Sequence, residues 1–169
     1  MAVQFLSQIT DSVFGMPEFE RLQEAGEFLE QARVFDNLYG TSRAFVEQQL
    51  TAGHDVVLEI DWQGARQVRR AMPQCVSVFI LPPSRAALAE RLARRATDTP
   101  EVIERRLADA AGDMSHYREF DYVVVNDDFT RALDDLQRIV AGETQGLGSD
   151  RPQLAPLVAE LLPAAEAGP

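Results

Sequence analysis

The 169-residue sequence predicts an α/β fold in which a parallel sheet is covered by crossover helices. Three short segments rich in β-branched residues predict buried central strands, at 55–61 (DVVLEID), 76–81 (VSVFIL) and 122–126 (YVVVN). Segments with the apolar spacing of helices lie between them, as expected of the connections that join parallel strands. A chain of this length is expected to form one domain with a packed core.

Residues that start or end helices support the same order of elements. Ser84 and the pair Thr99 and Pro100 are typical of helix starts, and Gly26 and Gly53 directly follow segments with helical spacing. The segment 131–140 predicts a final amphipathic helix. Its predicted apolar stripe comprises Phe129, Leu133, Leu136, Ile139 and Val140. The Gly-rich, polar residues that follow predict a linker, and 154–165 predicts a short helix.

Composition excludes several classes of function. Sixteen basic residues against 27 acidic ones give a net charge of −11, which disfavours nucleic-acid and anionic-membrane partners. No apolar run approaches the ~20 residues that span a bilayer, and the N-terminus lacks a signal-peptide pattern. We therefore expect a cytoplasmic protein. Every basic residue is arginine, so the sequence contains no catalytic lysine. His54 and His116 lack any metal-ligand spacing, and we predict no transition-metal site.

One acidic residue interrupts an apolar row. In 28–35 (FLEQARVF), strict alternation predicts that Phe28, Glu30, Ala32 and Val34 share one face of a strand. A carboxylate there is costly without a partner. Glu30 is therefore either a functional acid, or an edge-strand residue that is exposed or paired with a neighbouring arginine. The pattern alone leaves both interpretations open.

Two further segments place polar groups at the ends of predicted elements. In 37–43 (NLYGTSR), hydroxyls meet a helix start, which suits anion or nucleotide contact, although Thr41 or Ser42 as an ordinary helix cap is the more common explanation. Glu59 and Asp61 end the strand 55–61, where α/β proteins bind metal-bound phosphates or a ribose. Asp61 also suits the cap of the following helix.

The segment 91–106 concentrates arginines in an acidic chain. It contains Arg91, Arg94, Arg95, Arg105 and Arg106. The planar guanidinium matches phosphate oxygens, whereas pairing with Glu101 and Glu104 on a solvated helix face is the ordinary interpretation of Arg94 and Arg105.

Taken in order, NLYGTSR, VVLEIDWQG, FILPPS, the arginine-rich segment, MSHY and YVVVNDD resemble the guanylate kinase family over about residues 17–140. This family phosphorylates GMP from ATP with Mg²⁺. The resemblance implies a fold like that of the phosphate-loop kinases. It assigns 17–53 to a small GMP-binding part, 54–90 and 107–142 to the core, and 91–106 to an arginine-rich lid. Residues 1–16 stay uninterpreted, and 143–169 are a linker and tail.

The resemblance also implies roles on the GMP side. Glu30 matches the acid that accepts hydrogen bonds from guanine N1 and N2, and Thr41 the hydroxyl that contacts the base. Tyr39 matches a tyrosine at the GMP phosphate. Glu59 matches an acid near the nucleoside, and Asp61 lies where the Mg²⁺ shell is expected.

On the ATP side, the resemblance implies that Arg91, Arg95 and Arg106 neutralise the transferring phosphoryl group, and that Asn126 contacts ATP. GMP and ATP are thus the expected ligands, with Mg²⁺ carried by ATP.

The sequence departs from the family pattern at its start. The family begins with a strand and a Gly-rich phosphate loop ending in Gly-Lys-Ser/Thr, followed by two arginines that clamp the GMP phosphate, and none of these is found. We expect a chain that lacks this region through truncation, frameshift or an alternative start, with impaired catalysis. The alternative is a non-catalytic module that binds a guanine nucleotide or a protein. Because the first strand of the family lies inside the sheet, its absence would leave strand edges unpaired, which predicts either marginal stability or a homo-oligomer.

Overall fold

The structure is a computed structural model that describes residues 3–5, 16–34, 37–94 and 100–162. Its strands are β1 (Val3–Phe5), β2 (Phe28–Val34), β3 (Asn37–Ser42), β4 (Asp55–Val57), β5 (Val78–Leu81) and β6 (Tyr122–Val125). Its α-helices are α1 (Met16–Glu24), α2 (Arg43–Thr51), α3 (Trp62–Ala71), α4 (Arg85–Arg94), α5 (Pro100–Met114), α6 (Phe129–Val140) and α7 (Ala155–Leu161). Two 3₁₀ turns span Ser115–Glu119 and Pro152–Leu154. The chain divides into two compact units, Met1–Cys75 and Val76–Pro169.

The strands form three two-stranded sheets. β1 pairs with β4 and β5 with β6 in parallel, while β2 and β3 form an antiparallel hairpin. The α/β class is confirmed, but the single parallel sheet that the sequence predicts is not what the described residues form. β4 is shorter than the predicted 55–61, and its three residues pair with Val3–Phe5 of β1. No helix within the described ranges is long and apolar enough to cross a membrane.

Local signals set the ends of several helices. Ser42 caps α2 by accepting a hydrogen bond from the Phe45 amide at 3.3 Å, and Ser84 caps α4 through the Ala87 amide at 3.0 Å. Gly53 lies two residues beyond the end of α2, and its φ of 82° suits glycine and few other residues. Thr99, predicted as a cap, lies outside the described residues.

The core of the first unit is small and aliphatic. Leu29 of β2, Val46 of α2 and Val68 of α3 are each at least nine-tenths buried and pack together. Cys75, the single cysteine of the chain, is half-buried beside this cluster. This core packs β2 of the hairpin against α2 and α3.

The second unit is built on both faces of the β5–β6 pair. Val123 packs on one face with Leu81, Met114 and Tyr117, whereas its neighbour Val124 packs on the other face in a separate cluster. Because successive strand residues point to opposite faces, β6 is covered on both sides, as predicted for a central strand.

Helix α6 buries part of the apolar stripe that the sequence predicts. Ile139 and Leu136 of that stripe pack with Ala132 in the cluster around Val124, whereas Phe129 is 76% exposed and Leu133 is 41% exposed. The prediction is therefore confirmed for Leu136 and Ile139 and wrong for Phe129 and Leu133. Ala132 and Ile139 lie two turns apart, so the face that contacts β6 is centred on them and leaves the other edge of the predicted stripe exposed.

The residues predicted as a linker are packed against β6. The Val123 amide donates to the Leu147 carbonyl at 2.9 Å, and Leu147 is 5% exposed. Arg151 donates to the carbonyls of Val123, Leu147 and Gly148 at 2.8, 2.9 and 3.2 Å. The burial that accompanies these contacts lowers the pKa of the Arg151 guanidinium. The linker interpretation is wrong for this stretch, because the edge of β6 takes these residues as its hydrogen-bond partners.

The predicted C-terminal helix is present as α7. Its Leu161 is 1% exposed, and Leu154 just before it is 3% exposed. Both pack into the cluster that contains Leu81 and Val123, so the tail contributes to the core of the second unit.

Candidate functional site

The β2–β3 hairpin places two predicted site residues directly opposite each other. Glu30 of β2 and Thr41 of β3 are paired in the strand register, and the Thr41 hydroxyl donates to Glu30 Oε1 at 2.6 Å. The Glu30 side chain is buried, with 6% of the residue exposed. Of the alternatives left open by the sequence, the exposed edge-strand acid does not describe the structure. Glu30 is a buried carboxylate that a hydroxyl holds in position.

A β-bulge interrupts the alternation that the sequence predicts in β2. Phe28 pairs with Ser42 and Glu30 with Thr41, so two steps on β2 match one step on β3. The Phe28 ring covers Gly40, where an added Cβ would lie 2.7 Å from the ring. Since Gly40 and Thr41 are adjacent in a strand, Phe28 and Glu30 lie on opposite faces. The prediction that they share one face is wrong, because the bulge shifts the alternation by one residue.

Tyr39 lies two residues before Thr41 in β3 and is half-buried. Residues two apart in a strand share a face, so Tyr39 lies on the face that carries Thr41 and Glu30. The hairpin therefore brings together three of the residues predicted on the GMP side.

The N-terminus of α3 lies beside the Glu30 carboxylate. Asp61 caps this helix by accepting a hydrogen bond from the Gly64 amide at 2.7 Å. A Cβ on Gly64 would lie 3.2 Å from Glu30 Oε2, which places the helix start against the acid. Asp61 and Glu59 are both exposed. The capping role is the one that the structure shows for Asp61.

Sequence reasoning missed Gln67 of α3. Its side-chain oxygen accepts from the Gln31 amide at 3.1 Å, and its side-chain nitrogen donates to the Gln31 carbonyl at 3.0 Å. Gln31 follows Glu30 directly in β2. The motif DWQGARQV contains the signal, since Gly64 and Gln67 are three residues apart on one helix, but their partners lie more than 30 residues away.

In the second unit, two of the four residues predicted on the ATP side meet at the end of β6. Arg91 of α4 donates to the Asn126 carbonyl at 2.8 Å, and the Asn126 amide donates to the Leu81 carbonyl at 2.8 Å. Arg106 lies on α5 and is exposed. Arg95 lies outside the described residues. The structure therefore joins Arg91 and Asn126.

Among the described residues, the carboxylates near the start of α3 suit a Mg²⁺ ion that arrives bound to a nucleotide. Mg²⁺ is commonly bound by one or two carboxylates together with substrate phosphates and water. Asp61 offers an exposed carboxylate of this kind, with Glu59 two residues before it. Over the described residues, no group of three histidine, cysteine, aspartate or glutamate side chains forms a metal site.

Comparison with known proteins identifies the family. The family model described as guanylate kinase matches residues 14–143, which is more than half of the chain. The chain belongs to the guanylate kinase family. The resemblance noted in the sequence is thus confirmed. Every site residue discussed above lies within the matched region.

Individual guanylate kinases are similar to this chain in sequence and in structure. The guanylate kinase of Alkalilimnicola ehrlichii is 56% identical over 144 residues, which cover 85% of this chain and 71% of that protein. The guanylate kinase of Methylococcus capsulatus is 56% identical over 145 residues, which cover 86% of this chain and 71% of that protein. The crystal structure of guanylate kinase from Anaplasma phagocytophilum has a TM-score of 0.62 and 31% identity, covering 93% of this chain and 84% of that one.

Proposed function

We propose that this guanylate kinase family member binds GMP and ATP for a phosphoryl transfer that is impaired in the 169-residue chain, and that Glu30 is the group that recognises guanine. The observation that carries the proposal is the buried Glu30 carboxylate held by the Thr41 hydroxyl at 2.6 Å. Burying a carboxylate is unfavourable unless it has polar partners, so a buried acid beside few donors suits a ligand that supplies them.

The chemistry of guanine fits this arrangement. An ionised carboxylate accepts at about four lone-pair positions, and the Thr41 hydroxyl occupies one of them. Guanine presents two donors side by side, N1–H and the 2-amino group, which a carboxylate can accept together. Adenine lacks this donor pair. The Thr41 oxygen keeps lone pairs that can accept from the base as well.

On the ATP side, we propose that Arg91, Arg95 and Arg106 neutralise charge during phosphoryl transfer, and that Asn126 lines the ATP site. A phosphate oxygen of GMP bonds to the γ-phosphorus of ATP, the bond to the β-γ bridging oxygen breaks, and GDP and ADP are formed. The hydrogen bond to Asn126 uses one of the five guanidinium N–H donors of Arg91, so others stay available for phosphate oxygens. The segment 91–106 is proposed as the lid.

Tyr39 and Glu59 complete the proposed GMP side, at the phosphate and near the nucleoside. Asp61 is proposed to hold the Mg²⁺ that ATP brings, and the ion supplies charge neutralisation on the nucleotide phosphates. Asp61 would do this while its Oδ1 caps α3.

Calorimetric titration of the 169-residue chain with GMP, IMP and AMP tests the assignment of Glu30. IMP keeps N1–H and lacks the 2-amino group, so one hydrogen bond to a carboxylate separates it from GMP. We expect GMP to bind about 10-fold or more tightly than IMP, since such a bond contributes about 1.5–3 kcal/mol. Glu30→Gln should remove most of this preference, because its amide presents a donor toward the base. Equal affinities of the unmutated chain for GMP and AMP would refute the assignment.

Turnover is expected to be impaired in this polypeptide alone. The 169 residues contain no lysine, so they do not supply the lysine that ends the phosphate loop of the family. We expect no detectable GDP in a coupled assay, and turnover at the ~1–100 s⁻¹ of ordinary kinases would contradict this. The same observation favours a second candidate, a non-catalytic module. That candidate requires nucleotide or protein binding without any turnover.

A further inference from the structure

Helix α3 touches β2 at both the side chain of Glu30 and the backbone of the next residue. Gln67 makes two hydrogen bonds to Gln31, one to its amide and one to its carbonyl, at 3.1 and 3.0 Å. A side-chain amide that pairs with both main-chain groups of one residue acts as a short substitute for a neighbouring strand. The backbone amide and carbonyl of Gln31 therefore point away from β3, toward the edge of β2 that faces α3.

Gly64 meets the carboxylate itself. An added Cβ would lie 3.2 Å from Glu30 Oε2 and 3.2 Å from Ile60 Cβ, closer than nearly all real contacts of this kind. Gly64 is buried, and its amide is held by Asp61, so the backbone at this point has little freedom to retreat. Because Gly64 has no side chain, the Glu30 carboxylate has space beside α3.

Gly64 and Gln67 are three residues apart on α3 and share one face of the helix. Gln67 holds the β2 backbone at a fixed distance from α3, and Gly64 leaves space for the Glu30 carboxylate. We propose that Gln67 and Gly64 are positioning residues that determine base specificity by setting where the Glu30 carboxylate lies. This inference rests on the proposed role of Glu30 in reading guanine, and neither residue contacts the base in this scheme.

The test uses the full 169-residue chain with Gln67→Ala and Gly64→Ala. Gln63→Ala is the matched control, because Gln63 is an exposed glutamine on the same helix. The ratio of the IMP and GMP dissociation constants is measured by calorimetry. We expect both variants to lower this ratio by about fivefold or more, and the control to leave it unchanged. A ratio within about twofold of the unmutated value in both folded variants would overturn the proposal.

A double-mutant cycle separates positioning from general damage to the fold. In a Glu30→Gln background, Gln67→Ala and Gly64→Ala should have no further effect on the ratio, since they act through the carboxylate. An equal loss in both backgrounds would overturn the proposal. If Gln67→Ala does not fold, as judged by circular dichroism, Gly64→Ala alone decides the outcome by the same criterion.

A ligand-free measurement distinguishes failure of this inference from failure of the proposed function. Equal affinity of the unmutated chain for GMP and IMP would overturn the reading of guanine by Glu30. The positioning role is then judged from the carbon-13 NMR signal of the Glu30 carboxyl and from amide exchange at Gln31. Changes in both with Gln67→Ala, absent with Gln63→Ala, support positioning, and unchanged signals refute it.

Discussion

Removing the Thr41 hydroxyl is the most direct perturbation of the buried acid. Thr41→Val keeps the shape of the side chain and deletes the donor that lies 2.6 Å from Glu30 Oε1. Since Glu30 is only 6% exposed, water cannot readily replace the lost partner. A hydrogen bond to a charged group contributes about 1.5–3 kcal/mol, and we expect the free energy of unfolding to fall by that amount.

Urea unfolding followed by tryptophan fluorescence measures this loss. Trp62 is the only tryptophan in the chain, and it begins α3 in the same unit as Thr41, so its signal reports the relevant unit. Thr41→Ser is the control, because it keeps the hydroxyl and loses one methyl group, at a cost of about 0.8 kcal/mol or less. If Thr41→Val were no more destabilising than Thr41→Ser, the hydrogen bond to Glu30 would not stabilise the hairpin and the reasoning would be wrong.

Three further predictions concern individual residues within one unit or the other. Gly40→Ala should lower the free energy of unfolding by about 1–3 kcal/mol, because the new Cβ would lie 2.7 Å from the Phe28 ring. Gly112→Ala in α5, where the space is open, should raise it slightly. The urea midpoints of the two variants test this contrast. Arg151→Met should cost about 1–3 kcal/mol, measured in the same way, because the Val123 carbonyl loses the guanidinium while the Leu147 and Gly148 carbonyls each keep a backbone donor, and no measurable loss would contradict the assigned role. We propose that the chain self-associates through the Phe129 ring, which is 76% exposed, so Phe129→Ser should lower the mass measured by light scattering; a monomeric unmutated chain, or an unchanged mass in the variant, would contradict this.

Much of the local structure follows from short sequence signals. The strands within 76–81 and 122–126 form and pair in parallel, and the helices start at the residues that the capping pattern predicts, such as Ser84 and Asp61. These features are predictable because a strand or a helix cap depends on residues a few positions apart.

The packing of the tail was not predictable in the same way. Polar and glycine-rich residues near Leu147 predict a linker, yet Leu147 is buried and Arg151 bonds three carbonyls. These residues act as partners for an edge of β6, which lies about 25 residues earlier in the chain. Local composition contains no information about such a partner.

The sequence by itself determined the α/β class, the family and the candidate acid. These follow from the identity and order of motifs such as NLYGTSR and VVLEIDWQG, which can be read without knowing any tertiary contact. The strand pattern left Glu30 functional, exposed or paired with an arginine, and the family resemblance favoured the functional acid. Only the tertiary structure decided that this carboxylate is buried, that Thr41 donates to it, and that Gly64 and Gln67 adjoin it. The physical reason is that a bulge sets which face Glu30 takes, and that the contacts from α3 join residues more than 30 positions apart. Neither follows from the periodicity of one strand.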